Sequence, residues 1–324
     1  MNPLVAQIRE TARRLLDEGR VDVVLGFEAG PVALRNAPCF VRGAAEVDRL
    51  TWDHFCGLNL AVFLNLSSRR IGVFAKGCDS RAIVNLLKER RLVRENVVIV
   101  GVPCPGMADR GKVERWVDAA EVESARLKGD KIVVVAGGKT FEAPIEEMLR
   151  DACRECAAPT PTYYDLLLDA EPGRPPATVD AALHARNEPL HESLTTDRAE
   201  RWRRFEAEAA KCLRCYACRN VCPLCYCREC RADQSDPRWI GTSPNPSDNQ
   251  LYLLMRALHS AGRCVECGGC VEACPVGVDV RHLFKRLERE VRERFGYVSG
   301  ADPNQKPPLA TFDQADPEDF ITDV

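Results

Sequence analysis

The sequence predicts an α/β domain with a mostly parallel sheet, followed by an all-α domain that is rich in cysteine. Two observations lead to this fold class. As far as about residue 145, continuous apolar runs alternate with amphipathic segments, which is typical of buried parallel strands joined by helices. Beyond residue 198, apolar residues recur at helical spacing instead. Cysteine also becomes dense there, and the chain holds 17 cysteines in 324 residues.

The elements of the α/β domain follow the apolar runs in chain order. An amphipathic helix near the N-terminus leads into a first strand, and later strands alternate with helices or loops. One segment differs, because two short apolar runs flank Gly137 and Gly138 and so predict an antiparallel hairpin at the sheet edge. The predicted elements are helix 4–16, strand 21–27, strand 71–75, helix 80–91, strand 97–102 and hairpin 131–145.

Helices dominate the second half of the chain. In the predicted helix 249–262, four apolar residues recur at i, i+3, i+4 and i+7 and form one face. These residues are Leu251, Leu254, Met255 and Leu258. Further helices are predicted at 196–211 and at 279–295, where acidic and basic residues alternate on a solvated face.

Proline and charge patterns set the domain boundaries. Six prolines interrupt the stretch before residue 198 and predict an irregular connection, and the polar C-terminal segment predicts a disordered tail. The predicted organisation is an α/β domain at 1–156, a connection at 157–198, a helical domain at 199–298 and a tail at 299–324.

Composition excludes several classes of partner. The formal net charge is −3, which is too near neutrality to bind nucleic acid by bulk charge. The longest apolar runs are too short to cross a bilayer, so we expect no membrane insertion. The N-terminus meets charge at Arg9 and Glu10 before an apolar core can form, and so does not read as a secretory signal. We expect a cytoplasmic protein, where thiols stay reduced and serve as metal ligands.

Two complete copies of the bacterial ferredoxin run, C-x2-C-x2-C-x3-C-P, occur in the helical half. In this run the first three cysteines hold one cubane and the fourth holds the neighbouring one. One predicted [4Fe-4S] cluster is therefore ligated by Cys212, Cys215, Cys218 and Cys274, and the other by Cys264, Cys267, Cys270 and Cys222. Structural zinc is the alternative, but it has no use for a third cysteine at the same gap followed by Cys-Pro.

A third group of cysteines follows the first run at once. Cys225, Cys227 and Cys230 are not needed for the two ferredoxin clusters. Three ligands at gaps of one and two residues hold a metal centre if a fourth arrives from elsewhere, and Cys39 or Cys56 is available. This group is a candidate for a fourth [4Fe-4S] site, with zinc or simple buried thiols as the alternatives.

Four further cysteines are predicted to meet at one edge of the α/β sheet. Cys78 and Cys104 follow the strands 71–75 and 97–102, and ligands collect at the carboxyl ends of parallel strands. Cys153 and Cys156 add a pair after the hairpin. Together the four predict another [4Fe-4S] cluster, with Cys56 as a reserve ligand. The alternative is that the first two are core residues and the pair is half of a zinc site.

The start of the helix after strand 71–75 is a candidate phosphate site. Backbone N–H groups at a helix start attract anions, and basic residues flank this one. The residues predicted to bind a phosphate-bearing cofactor are Lys76, Gly77, Asp79, Ser80 and Arg81.

Four strings of the sequence resemble one family when they are taken together. They are KGCDSR at 76–81, GVPC at 101–104, Cys153-x2-Cys156 and CLRCYACRNVCPLCYCREC at 212–230. They are similar to the flavin-containing β-subunit family of deazaflavin-reducing hydrogenases and formate dehydrogenases, in its anaerobic bacterial branch. The cysteine-rich helical region also resembles the ferredoxin domain of heterodisulfide reductase and succinate dehydrogenase iron–sulfur subunits.

The first resemblance implies an FAD and a [4Fe-4S] cluster in the α/β domain, wired to the two ferredoxin clusters and serving a larger complex. It places the α/β cluster on Cys78, Cys104, Cys153 and Cys156. The partners that it implies are other subunits of a redox complex of the formate dehydrogenase, hydrogenase or heterodisulfide reductase kind.

Residues and resemblance together predict an electron-transfer subunit of an anaerobic oxidoreductase complex. Flavin suits the role because it exchanges two electrons with a carrier and passes them on singly. No hydrolytic triad or paired carboxylates compete, so we predict no catalytic side chain and expect an oxidoreductase subunit that is active only within its complex. Two alternatives stay open, a flavin-free iron–sulfur wiring subunit and a scaffold that holds zinc and clusters for its partners.

Overall fold

The computed structural model of the chain describes residues 2–66, 69–118, 122–168 and 197–311. It confirms the predicted fold class, with an α/β region followed by a helical region that carries both ferredoxin runs. Within these described ranges, we find no helix with the length and apolar content that a bilayer crossing requires.

The strands form two separate sheets. Their bounds are β1 (Val23–Val32), β2 (Arg35–Val41), β3 (Leu50–Thr51), β4 (Ile71–Ala75), β5 (Val97–Gly101), β6 (Ser124–Lys128), β7 (Lys131–Ala136), β8 (Lys139–Pro144) and β9 (Leu166–Leu167). The main sheet has the order β2-β1-β4-β5-β9, and β3 also pairs with β1. The pairs β1–β4, β4–β5 and β5–β9 are parallel, whereas β2 and β3 run antiparallel to β1.

The predicted hairpin at 131–145 is present as β7 and β8, but its placement at the edge of the main sheet is wrong. These strands join β6 in a three-stranded antiparallel sheet of their own. That sheet buries Ile132 and Val134 against Val113 and Val117 of a neighbouring helix, in a second apolar cluster apart from the main core. A separate core explains why the hairpin does not extend the parallel sheet.

Helices cover the main sheet and build the second half of the chain. Their bounds are α1 (Pro3–Asp17), α2 (Gly77–Lys88), α3 (Arg110–Val117), α4 (Asp151–Arg154), α5 (Arg198–Ala210), α6 (Ala217–Asn220), α7 (Pro246–His259), α8 (Gly269–Glu272) and α9 (Arg281–Phe295). Short 3-10 helices lie at Ala44–Arg49, Leu60–Leu66, Arg94–Asn96, Ile145–Met148 and Pro308–Ala310. Asn2 caps α1 by accepting the N–H of Leu4 at 3.0 Å.

The predicted helix at 249–262 exists as α7, but it buries a different face. The side chains that it buries are Asn249, Tyr252, Leu253, Arg256 and Ala257, whereas Leu251 and Leu258 are 47% and 61% exposed. The reason is that polar side chains of α7 form hydrogen bonds with buried backbone carbonyls. Asn249 donates to the carbonyls of Ala209 and Cys212, and Arg256 donates to that of Cys218. The buried carbonyl groups of the cysteine loops need hydrogen-bond donors, and α7 is therefore oriented with Asn249 and Arg256 toward them.

The helical region packs directly on α2 of the α/β region. Arg81 donates from Nε to the carbonyl of Ser299 at 2.9 Å, and Asn85 donates to the carbonyl of Arg263 at 2.9 Å and to the Ser299 hydroxyl at 2.8 Å. Glu89 pairs with the Arg263 guanidinium. This interface brings the second ferredoxin run next to the carboxyl edge of the main sheet.

The two segments predicted to be irregular are partly ordered. Ser299 is 1% exposed, and residues 299–311 continue from the interface into the last 3-10 helix, so the predicted tail does not begin at 299. Residues 157–168 of the predicted connection include β9. The rest of the connection, 169–196, and the tail from 312 to 324 lie outside the described residues.

Candidate iron–sulfur and cofactor sites

The two ferredoxin runs adopt the same unusual backbone turn. Arg214 and Tyr216 have φ of 57° and 60°, and the matching Glu266 and Gly268 have φ of 56° and 70°. Non-glycine residues hold this left-handed conformation only where their surroundings enforce it, which is frequent at functional sites. In each run the turn lets a backbone N–H donate to the first cysteine sulfur at 3.4 Å, Arg214 to Cys212 and Glu266 to Cys264.

The first run and the last cysteine of the second run surround one small space. Its cysteine lining is Cys212, Cys215, Cys218, Cys274 and, from the second run, Cys270. Burial raises the pKa of the Cys212 thiol, and the charges of Cys218 and Cys274 raise it further. The fourth cysteine of the downstream run therefore faces the upstream run, as the crossed ligand pattern requires.

The second run is more deeply buried than the first. Burial raises the pKa of the Cys270 thiol to about 12, and the Cys267 charge adds to the effect. Burial also raises the pKa of the Cys264 thiol, and Cys270 is among the neighbours that raise it further. Cys222, the fourth cysteine of the upstream run, follows Val221, whose side chain approaches Gly269 within the second run. Cys222 and Cys270 also share one neighbour, the Arg256 guanidinium.

The third group of cysteines does not converge as a set. Cys225 hydrogen-bonds to Cys222, which together with burial raises its pKa strongly. Cys230 interacts with the Arg219 side chain, and Cys227 is exposed. The three thiols thus meet three different surroundings, and Cys39, suggested as a fourth ligand, is buried in the main core.

The α/β region brings its four predicted cysteines to one cavity. Cys78 lies in the first turn of α2, Cys104 follows β5, Cys153 lies on α4, and Cys156 follows it. All four line a cavity of about 290 Å³ at the carboxyl edge of the main sheet. Cys267 of the second ferredoxin run lines the same cavity, so the two regions share a wall.

The electrostatics of these thiols fit metal ligands. Burial raises the pKa of the Cys78 thiol, and ionised Cys267 and Cys104 would raise it further. Burial likewise raises the pKa of the Cys104 thiol, and ionised Cys153 and Cys156 would raise it further. Such thiols are neutral on their own, and a bound metal deprotonates them. Within the described ranges, no three His, Cys, Asp or Glu side chains are grouped tightly enough to hold a single metal ion. A cubane spreads its four ligands over four irons and needs no such grouping.

Cys56, the reserve ligand, is placed away from the cavity. It is fully buried, and its sulfur accepts a hydrogen bond from Asn36 Nδ2 at 3.4 Å and from the N–H of Asp53 at 3.5 Å. The residues that line the cavity do not include it. The geometry therefore gives Cys56 a core position beside the site.

The residues predicted to hold a cofactor phosphate are already engaged inside the protein. Lys76 is 2% exposed and pairs with Asp79 at 3.0 Å, while Ser80 donates to the carbonyl of Tyr163 at 2.6 Å. A Cβ on Gly77 would lie 1.7 Å from the carbonyl oxygen of Ala158. Arg81 donates from Nε to the carbonyl of Ser299 and from Nη1 to that of Val265, across the interface with the helical region. Three of the five, Lys76, Gly77 and Arg81, also line the cavity that the four α/β cysteines line. The assignment of these five residues to a cofactor phosphate therefore stays a prediction.

The Lys76–Asp79 pair is a structural element of the α/β region, and its loss should be costly. Asp79 is fully buried and also accepts the N–H groups of Lys76 and Leu60 at 2.8 and 3.0 Å. Asp79→Asn leaves the buried Lys76 ammonium uncompensated, and we expect a loss of about 3–5 kcal/mol in the free energy of unfolding. Anaerobic guanidinium denaturation measures it, with the exposed Glu10→Gln as control. An unchanged midpoint in Asp79→Asn would show that the pair contributes nothing.

Three residues of the cavity wall escaped the sequence analysis. His54, whose Nδ1 lies 2.8 Å from the carbonyl oxygen of Gly106, Arg150 and Lys285 all line it. Burial lowers the pKa of His54. Lys285 reaches the cavity from α9 and pairs with Glu155. No motif marks them, because each is brought to the cavity by contacts that are distant in sequence.

Two regions of the chain match described families. Residues 68–169 match the family described as the C terminus of the coenzyme F420 hydrogenase/dehydrogenase beta subunit. Residues 208–278 match the 4Fe-4S dicluster domain. The first region contains Cys78, Cys104, Cys153 and Cys156, and the second contains both ferredoxin runs.

Relatives are similar to the chain over nearly its whole length. It is 25% identical over 351 aligned positions, 91% of each chain, to the F420-dependent formate dehydrogenase subunit beta of Methanocaldococcus jannaschii. It is 26% identical over 352 positions, 91% of this chain and 90% of the relative, to the F420-dependent formate dehydrogenase 1 subunit beta of Methanococcus maripaludis. A shorter stretch of 90 residues, 28% of this chain and 58% of the relative, is 37% identical to NADH-quinone oxidoreductase subunit I 2 of Geobacter metallireducens.

Proposed function

Because residues 68–169 belong to the family of coenzyme F420 hydrogenase/dehydrogenase beta subunits and residues 208–278 form a 4Fe-4S dicluster domain, we propose that the chain is the electron-transfer subunit of an oxidoreductase complex. In this proposal it carries three [4Fe-4S] clusters in series, one in the α/β region and two in the helical region. Its partners are the other subunits of a complex of the formate dehydrogenase or hydrogenase kind, as the names of the relatives suggest.

The observation that carries the proposal is the cavity shared by the two regions. Four cysteines of the α/β region and Cys267 of the dicluster domain line it together. Cys267 is close enough to Cys78 that its ionisation would raise the pKa of the Cys78 thiol. A cluster held by the four α/β cysteines would therefore have a ligand of a dicluster cubane as its neighbour. Adjacent clusters with a protein-fixed separation suit the passage of single electrons.

FAD is the second part of the proposal. When bound, it would supply the exchange between a two-electron carrier and one-electron clusters. Support for it comes from the family relationship of residues 68–169, and Lys76, Gly77 and Arg81 line the shared cavity from the start of α2. The chain's own contribution is the position of Cys78, Cys104, Cys153 and Cys156. A cytoplasmic location also belongs to the proposal, because a reducing compartment keeps this many thiols available as ligands.

Visible spectroscopy of the full chain, purified and reconstituted with iron and FAD under anoxia, tests both parts. We expect broad cluster absorption near 400 nm together with a flavin band near 450 nm, and bleaching of both by reduced coenzyme F420 or by NADH. Clusters without flavin would support the alternative of a flavin-free wiring subunit. Zinc with little iron would support a scaffold and contradict the electron-transfer function.

A further inference from the structure

Arg256 is a buried cation with unused hydrogen-bond donors. It projects from α7 and is 5% exposed. Its Nη2 donates to the carbonyl of Cys218 at 2.9 Å. Within the part of the chain that the structure describes, its Nε and Nη1 form no well-directed hydrogen bond, although the guanidinium also approaches the Cys225 thiol. Buried guanidinium groups are normally paired, so two idle donors call for an acceptor.

The surroundings of Arg256 hold thiols in place of a carboxylate. Among the described residues, no Asp or Glu forms an ion pair with it, while a ring, that of Phe284, lies 5.4 Å from its Cζ. Burial lowers the pKa of Arg256, but the cysteines around it, when they are ionised as thiolates, raise that pKa, and the net direction is upward. In decreasing order of effect, these neighbours include Cys218, Cys270, Cys225 and Cys222.

Apart from Cys225, these neighbours belong to the two cysteine groups of the dicluster domain. Cys218 lies in the first group, with Cys212 and Cys274. Cys270 lies in the second, with Cys267, and Cys222 is its crossed ligand in the proposed assignment. Arg256 is therefore between two places where anionic clusters and their thiolates would sit. A fixed cation there favours the more negative, reduced form of a cluster.

We propose that Arg256 is a redox-tuning residue that raises the reduction potentials of both clusters of the dicluster domain by placing one permanent positive charge between them. The inference rests on the proposed function, in that it needs the two cubanes on their crossed ligands. Each cluster takes up one electron from an external reductant, and no proton transfer by Arg256 is involved, because a guanidinium stays charged.

The test is a potentiometric titration of the full chain, loaded with clusters under anoxia and followed by electron paramagnetic resonance with dithionite and redox mediators. In Arg256→Gln we expect the ratio of reduced to oxidised cluster at the wild-type midpoint to fall by about tenfold for each cluster. That size is expected for a unit charge roughly 10 Å away at an effective dielectric constant of about 20, and it corresponds to about 59 mV for one electron.

Charge-conserving and exposed variants make the test specific. Arg256→Lys keeps the charge and should stay near the wild-type midpoint. Arg204→Gln removes an arginine of α5 that is 62% exposed, and solvent screening should leave both midpoints unchanged.

Iron analysis separates a tuning role from a structural one. Full iron with unchanged midpoints in Arg256→Gln would overturn the inference, as would equal shifts in Arg256→Gln and Arg256→Lys. Loss of iron in both variants would also overturn it, since Arg256 would then act through the Cys218 carbonyl alone. Iron lost in Arg256→Gln but kept in Arg256→Lys would overturn it as well, since the charge would then be needed for cluster assembly. Failure of the proposed function would appear earlier, as a wild-type chain without the two cubanes.

Discussion

Replacing Cys222 with Ala should remove about four irons per chain, and the cluster lost should be the one ligated by the downstream run. The reason is the crossed pattern, in which the fourth cysteine of each run faces the other run. The geometry that supports it is the placement of Cys274 with Cys212 around one small space and the approach of Val221, the neighbour of Cys222, to Gly269 of the second run. Iron analysis and electron paramagnetic resonance of the reduced protein measure the loss.

The mirror variant and a buried control complete the experiment. Cys274→Ala should remove the other cluster, that of Cys212, and leave the second run loaded. Cys39→Ala changes a thiol that is buried in the main core, outside both runs, and it should keep the full iron content. The crossed assignment is wrong if Cys222→Ala and Cys274→Ala each remove the cluster of their own run.

The second large effect is expected in the α/β region. Cys104→Ala removes one of the four α/β thiols that line the shared cavity, and we expect iron to fall from about twelve to about eight per chain while both dicluster signals persist. A cubane with three protein ligands and a buried fourth iron without a thiolate should load poorly, because these ligands come from separate elements of the fold.

Cys56→Ala is the matched control for Cys104→Ala. Both thiols are in the same region, but Cys56 contacts Asn36 and Asp53 and does not line the cavity. The control should retain about twelve irons per chain. If Cys56→Ala loses iron and Cys104→Ala does not, the α/β cluster has a different ligand set.

Much of the fold could be predicted because local sequence carries it. The apolar runs that became β1, β4 and β5 lie in the middle of the main sheet, where strands buried on both faces are continuously apolar. The two cysteine runs share one spacing, and both fold into the same turn, in which a backbone N–H approaches the first sulfur.

The surroundings of the helix start at 76–81 and the buried face of α7 depend on tertiary contacts that the local sequence does not reveal. The helix start at 76–81 has the sequence pattern of a phosphate site, but the backbone of residues 158 to 163 packs against part of it, at Gly77 and Ser80. Helical spacing placed Leu251 and Leu258 on the apolar face of α7, yet the structure directs the donors Asn249 and Arg256 toward the cysteine loops. In both cases the deciding partner is distant in sequence, and no local pattern announces it.

The most direct test of the account is the iron count of the full chain after anaerobic reconstitution, with Mössbauer spectroscopy to identify the cluster type. The account predicts about twelve irons per chain, all in [4Fe-4S] clusters. A plateau at about eight irons would mean that the cavity shared by the two regions holds no cluster. Without that cluster, the proposed series from the α/β region to the dicluster domain would be contradicted.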